Sequence, residues 1–230
     1  MPLSADGWQT RIDGYCERTS DAFWAEPLNA LTNAAFLVAA LAAFVSVRRA
    51  GRRDPGLDLL IGITAAIGIG SFLFHTLATR WAAIADVVPI LLFIVVYLAL
   101  VCRRFFDLAW PWAIVIGLAY VPASIGSRLL WRGIAGGGWG ATGGYLPAIA
   151  ALVVAAGLLA HRRHRAARPL ALAAALFSLS LTLRSLDAPL CGLIPIGTHF
   201  LWHLLNGALL AWLMLTMLRH GTPPPLPGAR

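Results

Sequence analysis

Three histidines that are far apart in the chain have a spacing that suits the binding of one metal ion. His199 and His203 are four residues apart inside an apolar stretch, so their side chains lie one above the other on a helix face. His75 lies near the end of another apolar stretch. Ionisable side chains at membrane depth are costly, which makes each of them a functional candidate. Three imidazole ligands with one open position are typical of a catalytic zinc site.

Other polar groups accompany these histidines. Ser71 precedes His75 by four residues and shares its helix face, while Asp86 begins the next apolar stretch and Asp187 ends a later one. Haem is the alternative metal cofactor, because paired histidines also serve as its axial ligands. Histidines gathered within one helical turn suit a single small ion better. The remaining histidines lie among arginines and are expected to be solvated: His161, His164 and His220.

The composition predicts the elements that must position these residues. Of 230 residues, 59% are hydrophobic and 12% are charged, whereas soluble domains carry about a quarter charged residues. Apolar stretches long enough to cross a bilayer recur along the chain. We therefore predict an all-α, polytopic membrane protein with a bundle of seven transmembrane helices, at about 28–47, 57–77, 84–102, 109–130, 144–160, 169–187 and 195–218. The stretch from Gly133 to Gly144 is predicted to be a flexible loop.

The arginines predict the orientation of the bundle. All 18 basic residues are arginines, and twelve of them follow spans 1, 3 and 5 or lie in the tail. Because basic loops stay in the cytoplasm, residues 1–27 are expected outside the membrane, 28–218 form the transmembrane domain, and 219–230 form a disordered cytoplasmic tail. A bacterial inner membrane, with the histidines near its periplasmic side, is the expected location. No basic stripe alternates with aromatic residues, so we do not expect nucleic acid as a partner.

Three blocks of sequence resemble the alkaline ceramidase family, which consists of seven-helix zinc amidases related to progestin and adiponectin receptors. The first block runs from Tyr15-Cys16-Glu17 to Ala25-Glu26-Pro27-Leu28-Asn29 and on to Asn33. The second contains Gly70-Ser71, His75, Asp86 and Pro89. The third contains Asp187, Cys191 and His199 through His203.

The resemblance implies a role for each matching residue. His75, His199 and His203 would bind zinc, Asp86 would deprotonate the attacking water, and Ser71 would donate a hydrogen bond to the oxyanion. The substrate would be a membrane lipid with an N-acyl amide, and the products a fatty acid and an amine.

Two further features of the family are expected at the outer side. The resemblance implies a disulfide between Cys16 and Cys191, and Cys102 should be a free thiol. Eukaryotic members also bind calcium through N-terminal acids, and the candidate ligands here are Glu17, Glu26, Asp13 and Asp21. The match to that site is incomplete, because Gly14 stands where an acidic ligand is expected, so calcium stays open.

Three classes of function follow from these patterns. The first is a zinc-dependent hydrolase of ceramide-like or other N-acyl lipids. The second is a lipid-sensing receptor of the same superfamily, whose zinc site binds a lipid without turning it over or does so slowly. The third, a transporter or channel, is disfavoured because the sequence suggests neither inverted repeats nor paired broken helices near the membrane midplane.

Overall fold

The structure is a computed structural model that describes residues 5–135 and 140–221. Within these ranges the chain is helical, with no β-strand beyond one isolated bridge between Arg11 and Thr79. Seven helices of 16 residues or more form the bundle. We number them as follows: α1 (Ala34–Arg49), α2 (Pro55–Leu77), α3 (Arg80–Phe105), α4 (Trp110–Ala135), α5 (Leu146–His161), α6 (Ala167–Leu190) and α7 (His199–His220).

The prediction of a polytopic helical membrane protein is confirmed. In the described part of the chain, six spans are long and apolar enough to cross a membrane, and the first of them joins the short helix Pro27–Thr32 to α1. Helix α5 is shorter, with 16 residues, and is therefore roughly 24 Å long at the usual helical rise. It lies within the bundle between α4 and α6 and buries Leu159 completely.

Large apolar side chains cover the outside of the bundle, as expected for a protein solvated by lipid. Leu41, Leu130 and Ile134 are each more than 60% exposed. Tryptophans that are also exposed lie at both ends of the bundle, with Trp24 before α1 and Trp112 at the start of α4. This distribution matches the aromatic belts that flank a bilayer.

The structure corrects the prediction for the segment after span 4. We expected that helix to end near residue 130, followed by a flexible loop, but α4 continues to Ala135 and a short helix forms at Gly140–Gly143. The hydroxyl groups of Ser127 and Tyr120 donate hydrogen bonds to the carbonyls of Gly143 and Gly144, respectively. These bonds hold the segment against α4. Residues 136–139 and the predicted disordered tail from residue 222 onwards lie outside the described residues.

Asp54 fixes the end of the bundle that carries most of the arginines. Its carboxylate caps α2 by accepting a hydrogen bond from the Leu57 N–H at 3.1 Å, and it also pairs with both terminal nitrogens of Arg104, at 2.6 and 2.7 Å. A planar guanidinium on a buried carboxylate is a strong, oriented interaction. It joins α2 to the last turn of α3 at the end opposite the histidines.

Two close helix approaches set the geometry at the other end. A Cβ atom at Gly70 of α2 would lie 2.1 Å from the Ala85 carbonyl oxygen of α3, and one at Gly207 of α7 would lie 2.9 Å from the Ala35 Cβ of α1. Only glycine permits such contacts, which bring backbones together as in other membrane bundles. Helices α2, α3 and α7 are therefore positioned closely where their polar residues lie.

Replacing Gly70 by alanine should destabilise the bundle, because the obstacle is a backbone carbonyl that cannot rotate away. We expect a loss of about 1–3 kcal/mol, the range for overpacking, measured by thermal unfolding in detergent. Gly62→Ala is the matched control in the same helix, since nothing lies within 4 Å of its added Cβ. This variant should be neutral or more stable by up to about 1 kcal/mol. Equal shifts in the two melting temperatures would contradict the assigned close approach.

Candidate metal centre

The three histidines come together at one end of the bundle. His75 lies two residues before the end of α2, and His199 and His203 occupy the first two turns of α7. One ring nitrogen from each histidine lies within 4.8 Å of the other two, and all three side chains are buried. Three nitrogens at this spacing can hold one metal ion.

Each histidine of this triad keeps a buried ring nitrogen without a hydrogen-bond partner among the described residues. These atoms are Nε2 of His75, Nδ1 of His199 and Nε2 of His203. Buried polar atoms are rarely left unpaired, so three of them at one point indicate a missing partner. A cation that accepts nitrogen ligands satisfies all three, and the donor set fits zinc.

The opposite nitrogens of two of these rings are held by hydrogen bonds. Nδ1 of His75 lies 2.6 Å from Oε2 of Glu26, and Nδ1 of His203 lies 2.9 Å from the Thr32 hydroxyl. Such partners fix the ring orientation of a metal ligand and raise its basicity. Burial alone would raise the pKa of Glu26, but hydrogen bonds from His75 and Arg18 hold that pKa below its usual value.

His199 is held by its surroundings in a different way. The ring of Tyr15 stacks on it, with centroids 3.8 Å apart. Oδ1 of Asp187 accepts hydrogen bonds from the backbone N–H groups of Thr198 and His199, at 2.7 and 2.9 Å, and so caps the start of α7. Gly197 is required here because its φ is +66° and a Cβ would overlap Asp187.

The N-terminal segment is attached to the same point. Cys16 and Cys191 form a disulfide, and the Cys16 N–H donates a hydrogen bond to the second oxygen of Asp187 at 3.0 Å. Asp187 therefore links the disulfide to the first turn of α7. Cys102 is a buried free thiol at the other end of the bundle.

Asp86 and Ser71 lie side by side next to the histidines. The Asp86 carboxylate faces the Ser71 hydroxyl and lies within electrostatic reach of His75. Its Oδ1 is buried and has no partner in the described part of the chain. The contact between Gly70 and the backbone of Ala85 and Asp86 brings these two side chains together across α2 and α3.

Two of the four candidate calcium ligands, Glu17 and Glu26, have both carboxylate oxygens engaged in hydrogen bonds. Both carboxylate oxygens of Glu17 accept backbone N–H groups, from Leu28 at 2.7 Å and Asn29 at 2.8 Å. Both oxygens of Glu26 are paired as well, with Arg18 on one side and with His75 and Asn29 on the other. Asp13 and Asp21 are exposed. Calcium needs six to eight oxygen ligands, so these residues do not fit it.

The sequence analysis did not identify Tyr15 and Arg184 as parts of this site. Burial raises the pKa of Tyr15 to about 12, so its hydroxyl stays protonated. The Arg184 guanidinium lies 3.4 Å from that hydroxyl and 5.4 Å from the centroid of the Trp202 ring. The available signal for Arg184 was its position inside an otherwise apolar span. Tyr15 lies in a segment without periodicity and gave no such signal.

An apolar cavity of about 80 Å³ opens among the helices beyond the histidines. It begins beside Trp202 and Tyr145 and follows α7 inward as far as Leu213. Among its walls is Ala155 of α5. Trp202, the chain neighbour of His203, belongs to these walls, so the apolar cavity begins close to the histidines.

These features define a helical integral membrane protein with a three-histidine site suited to a metal. A family model described as ceramidase matches residues 10–223, and the chain belongs to the ceramidase family. The resemblance predicted from the three sequence blocks is therefore confirmed. No curated protein matches the chain significantly. Family membership supports a hydrolase that acts on ceramide-like amides.

Removing one ligand should release the metal. In His203→Ala we expect metal content, measured by mass spectrometry on detergent-purified protein, to fall from about one ion per chain to near zero, since two imidazoles bind far more weakly than three. His164→Ala is the control, because this histidine lies beside Phe105 at the opposite end. Equal metal content in the two variants would contradict the assigned centre.

Proposed function

We propose that the protein is a zinc-dependent membrane amidase that hydrolyses the N-acyl amide bond of a ceramide-like or other N-acyl lipid. The observation that carries the proposal is the set of three buried, unpaired imidazole nitrogens beside a carboxylate and a hydroxyl. A site that only stabilised the fold would have no need of Ser71 and Asp86. Zinc is preferred because three neutral imidazoles match its usual ligands.

His75, His199 and His203 hold the zinc ion in this proposal. When bound, zinc supplies Lewis-acid polarisation of the amide carbonyl and makes water a stronger nucleophile at neutral pH. Glu26 and Thr32 keep the rings of His75 and His203 aimed at the metal through their hydrogen bonds.

Asp86 acts as the general base and then as the general acid. It takes a proton from the attacking water and delivers it to the amine nitrogen as the carbon–nitrogen bond breaks. The Ser71 hydroxyl donates a hydrogen bond to the oxygen of the amide carbonyl, on which negative charge develops. One water and one amide give one fatty acid and one amine, so the reaction is balanced.

The apolar cavity accommodates the acyl chain of the substrate. With the amide at the histidines, the chain extends inward along α7, where the cavity walls are apolar. The head group then remains near Tyr15 and Arg184, at the polar end. The arginine distribution supports an outward-facing site, with the N-terminus outside and the C-terminus in the cytoplasm.

Replacing Asp86 by asparagine should abolish turnover while leaving the metal in place. We expect kcat on N-acyl lipids to fall by at least about 100-fold, because the proton acceptor is lost. In Ser71→Ala, kcat should fall by about 100-fold, because the hydrogen-bond donor to the oxyanion is lost. Released fatty acid is measured by mass spectrometry across a panel of ceramides and other N-acyl lipids.

The matched control is Asp58→Asn, which removes an exposed carboxylate paired with Arg48 at the opposite end of the bundle. It should retain wild-type activity. Zinc-loaded wild-type protein that hydrolyses no lipid of the panel would contradict the hydrolase. If this protein also bound an N-acyl lipid saturably, the result would favour the lipid-sensing receptor.

Filling the cavity should shorten the preferred acyl chain. Ala155 is buried in the cavity wall, so Ala155→Leu should lower kcat/KM for long-chain substrates by about ten-fold or more, with little effect on short ones. Ala160→Leu is the control on the exposed face of the same helix. An unchanged chain-length profile in Ala155→Leu would rule out this cavity as the acyl site.

A further inference from the structure

A buried ion pair lies directly behind the metal centre. Nε of Arg18 is 2.5 Å from Oε1 of Glu26, and these residues are only 7% and 2% exposed. The other oxygen of Glu26 contacts Nδ1 of His75. A continuous chain of charged and polar groups therefore runs from Arg18 through Glu26 to one of the proposed metal ligands.

The guanidinium of Arg18 joins three separate parts of the protein. Besides Glu26, which precedes the first span, it donates hydrogen bonds to the carbonyl of His75 at 3.0 Å and to the carbonyl of Ser20 at 3.2 Å. The His75 carbonyl is one of the last four of α2, which have no partner within the helix. A cation at this position also matches the negative end of the helix dipole.

These contacts resemble those that a bound cation makes, with one carboxylate oxygen and two backbone carbonyls around a positive centre. Two of the acids that were candidates for calcium, Glu17 and Glu26, are already paired, and Arg18 occupies the open side of Glu26. An incoming ion would have to displace a buried guanidinium from its carboxylate. Breaking a buried pair is strongly unfavourable.

We propose that Arg18 supplies the positive charge beside Glu26 that a calcium ion would otherwise supply. It holds Glu26 against His75, and the protein binds its histidine-coordinated metal without calcium. Arg18 is a positioning residue, since it acts on the metal only through Glu26 and the His75 carbonyl. The inference rests on the proposed three-histidine zinc site.

Removing the guanidinium leaves Oε1 of Glu26 without its partner. The carboxylate is then free to reorient, and the ring of His75 loses the hydrogen bond that aims its Nε2 at the metal. Loss of such outer partners weakens metal affinity by about 10–100-fold. Lysine keeps the charge but lacks the planar fork, so it cannot reach all three acceptors.

The first experiment measures the zinc dissociation constant of the full-length protein in detergent, by competition with a chromophoric chelator. We expect Arg18→Gln to bind zinc about 10–100-fold more weakly than wild type, and Arg18→Lys to recover only part of the loss. Arg80→Gln is the matched control, because Arg80 is exposed at the same end of the bundle and does not pair with Glu26. Wild-type zinc affinity in folded Arg18→Gln would overturn the proposal.

The second experiment tests wild type alone and does not depend on the folding of a variant. Zinc affinity and melting temperature are measured in buffer stripped of calcium and again with calcium at about 1 mM, the range of weak extracellular sites. Neither quantity should change. A rise in either with calcium would overturn the proposal. Both experiments measure zinc affinity without substrate. If the protein hydrolyses no lipid, the amidase hypothesis is refuted, but the role of Arg18 is still decided by zinc affinity.

Discussion

The requirement that buried polar groups find partners governs the histidine end of this bundle. Lipid offers an imidazole no hydrogen-bond partner, so each buried ring nitrogen must meet a protein group, a ligand or an enclosed water. Glu26 and Thr32 satisfy one nitrogen of His75 and one of His203. One ring nitrogen from each of the three histidines lies within 4.8 Å of the other two. The same pairing that orients the rings therefore also leaves a cluster of electron-pair donors for a cation.

The segment before the first span completes this arrangement, although it crosses no membrane. Tyr15 stacks on His199, Cys16 is bonded to Cys191, and Glu26 supports His75. Asp187 connects these parts, because one of its oxygens accepts from Cys16 and the other caps α7. The helices carry the three histidines, whereas the N-terminal segment fixes the orientation of their rings. We therefore expect metal affinity to depend on the attachment of the N-terminal segment.

The sequence patterns predicted the apolar helices and the polar residues that interrupt them. The seven apolar stretches gave the helices, and the four-residue spacings placed Ser71 with His75 and His199 with His203. The positions of Arg18 and Thr32 were not predictable in this way. Arg18 lies in an irregular segment, and Thr32 is an ordinary helical residue whose partner is 171 positions away. The end of α4 was misjudged because glycines suggested a loop, while hydrogen bonds from Tyr120 and Ser127 order part of that segment.

The free energy of filling the apolar cavity with an acyl chain differs here from that in a soluble protein. A chain that leaves water gains about 0.8 kcal/mol per buried methylene, but a lipid chain already lies in hydrocarbon, which is as apolar as the leucines of the wall. Transfer into the cavity therefore gains little, and the proposed substrate must be held mainly by its amide and head group. The walls discriminate by excluding chains that do not fit, since a steric clash costs energy in any solvent. In the proposed complex, affinity would therefore arise at the histidines, where the amide lies, and chain-length selectivity along the cavity walls, as at Leu213.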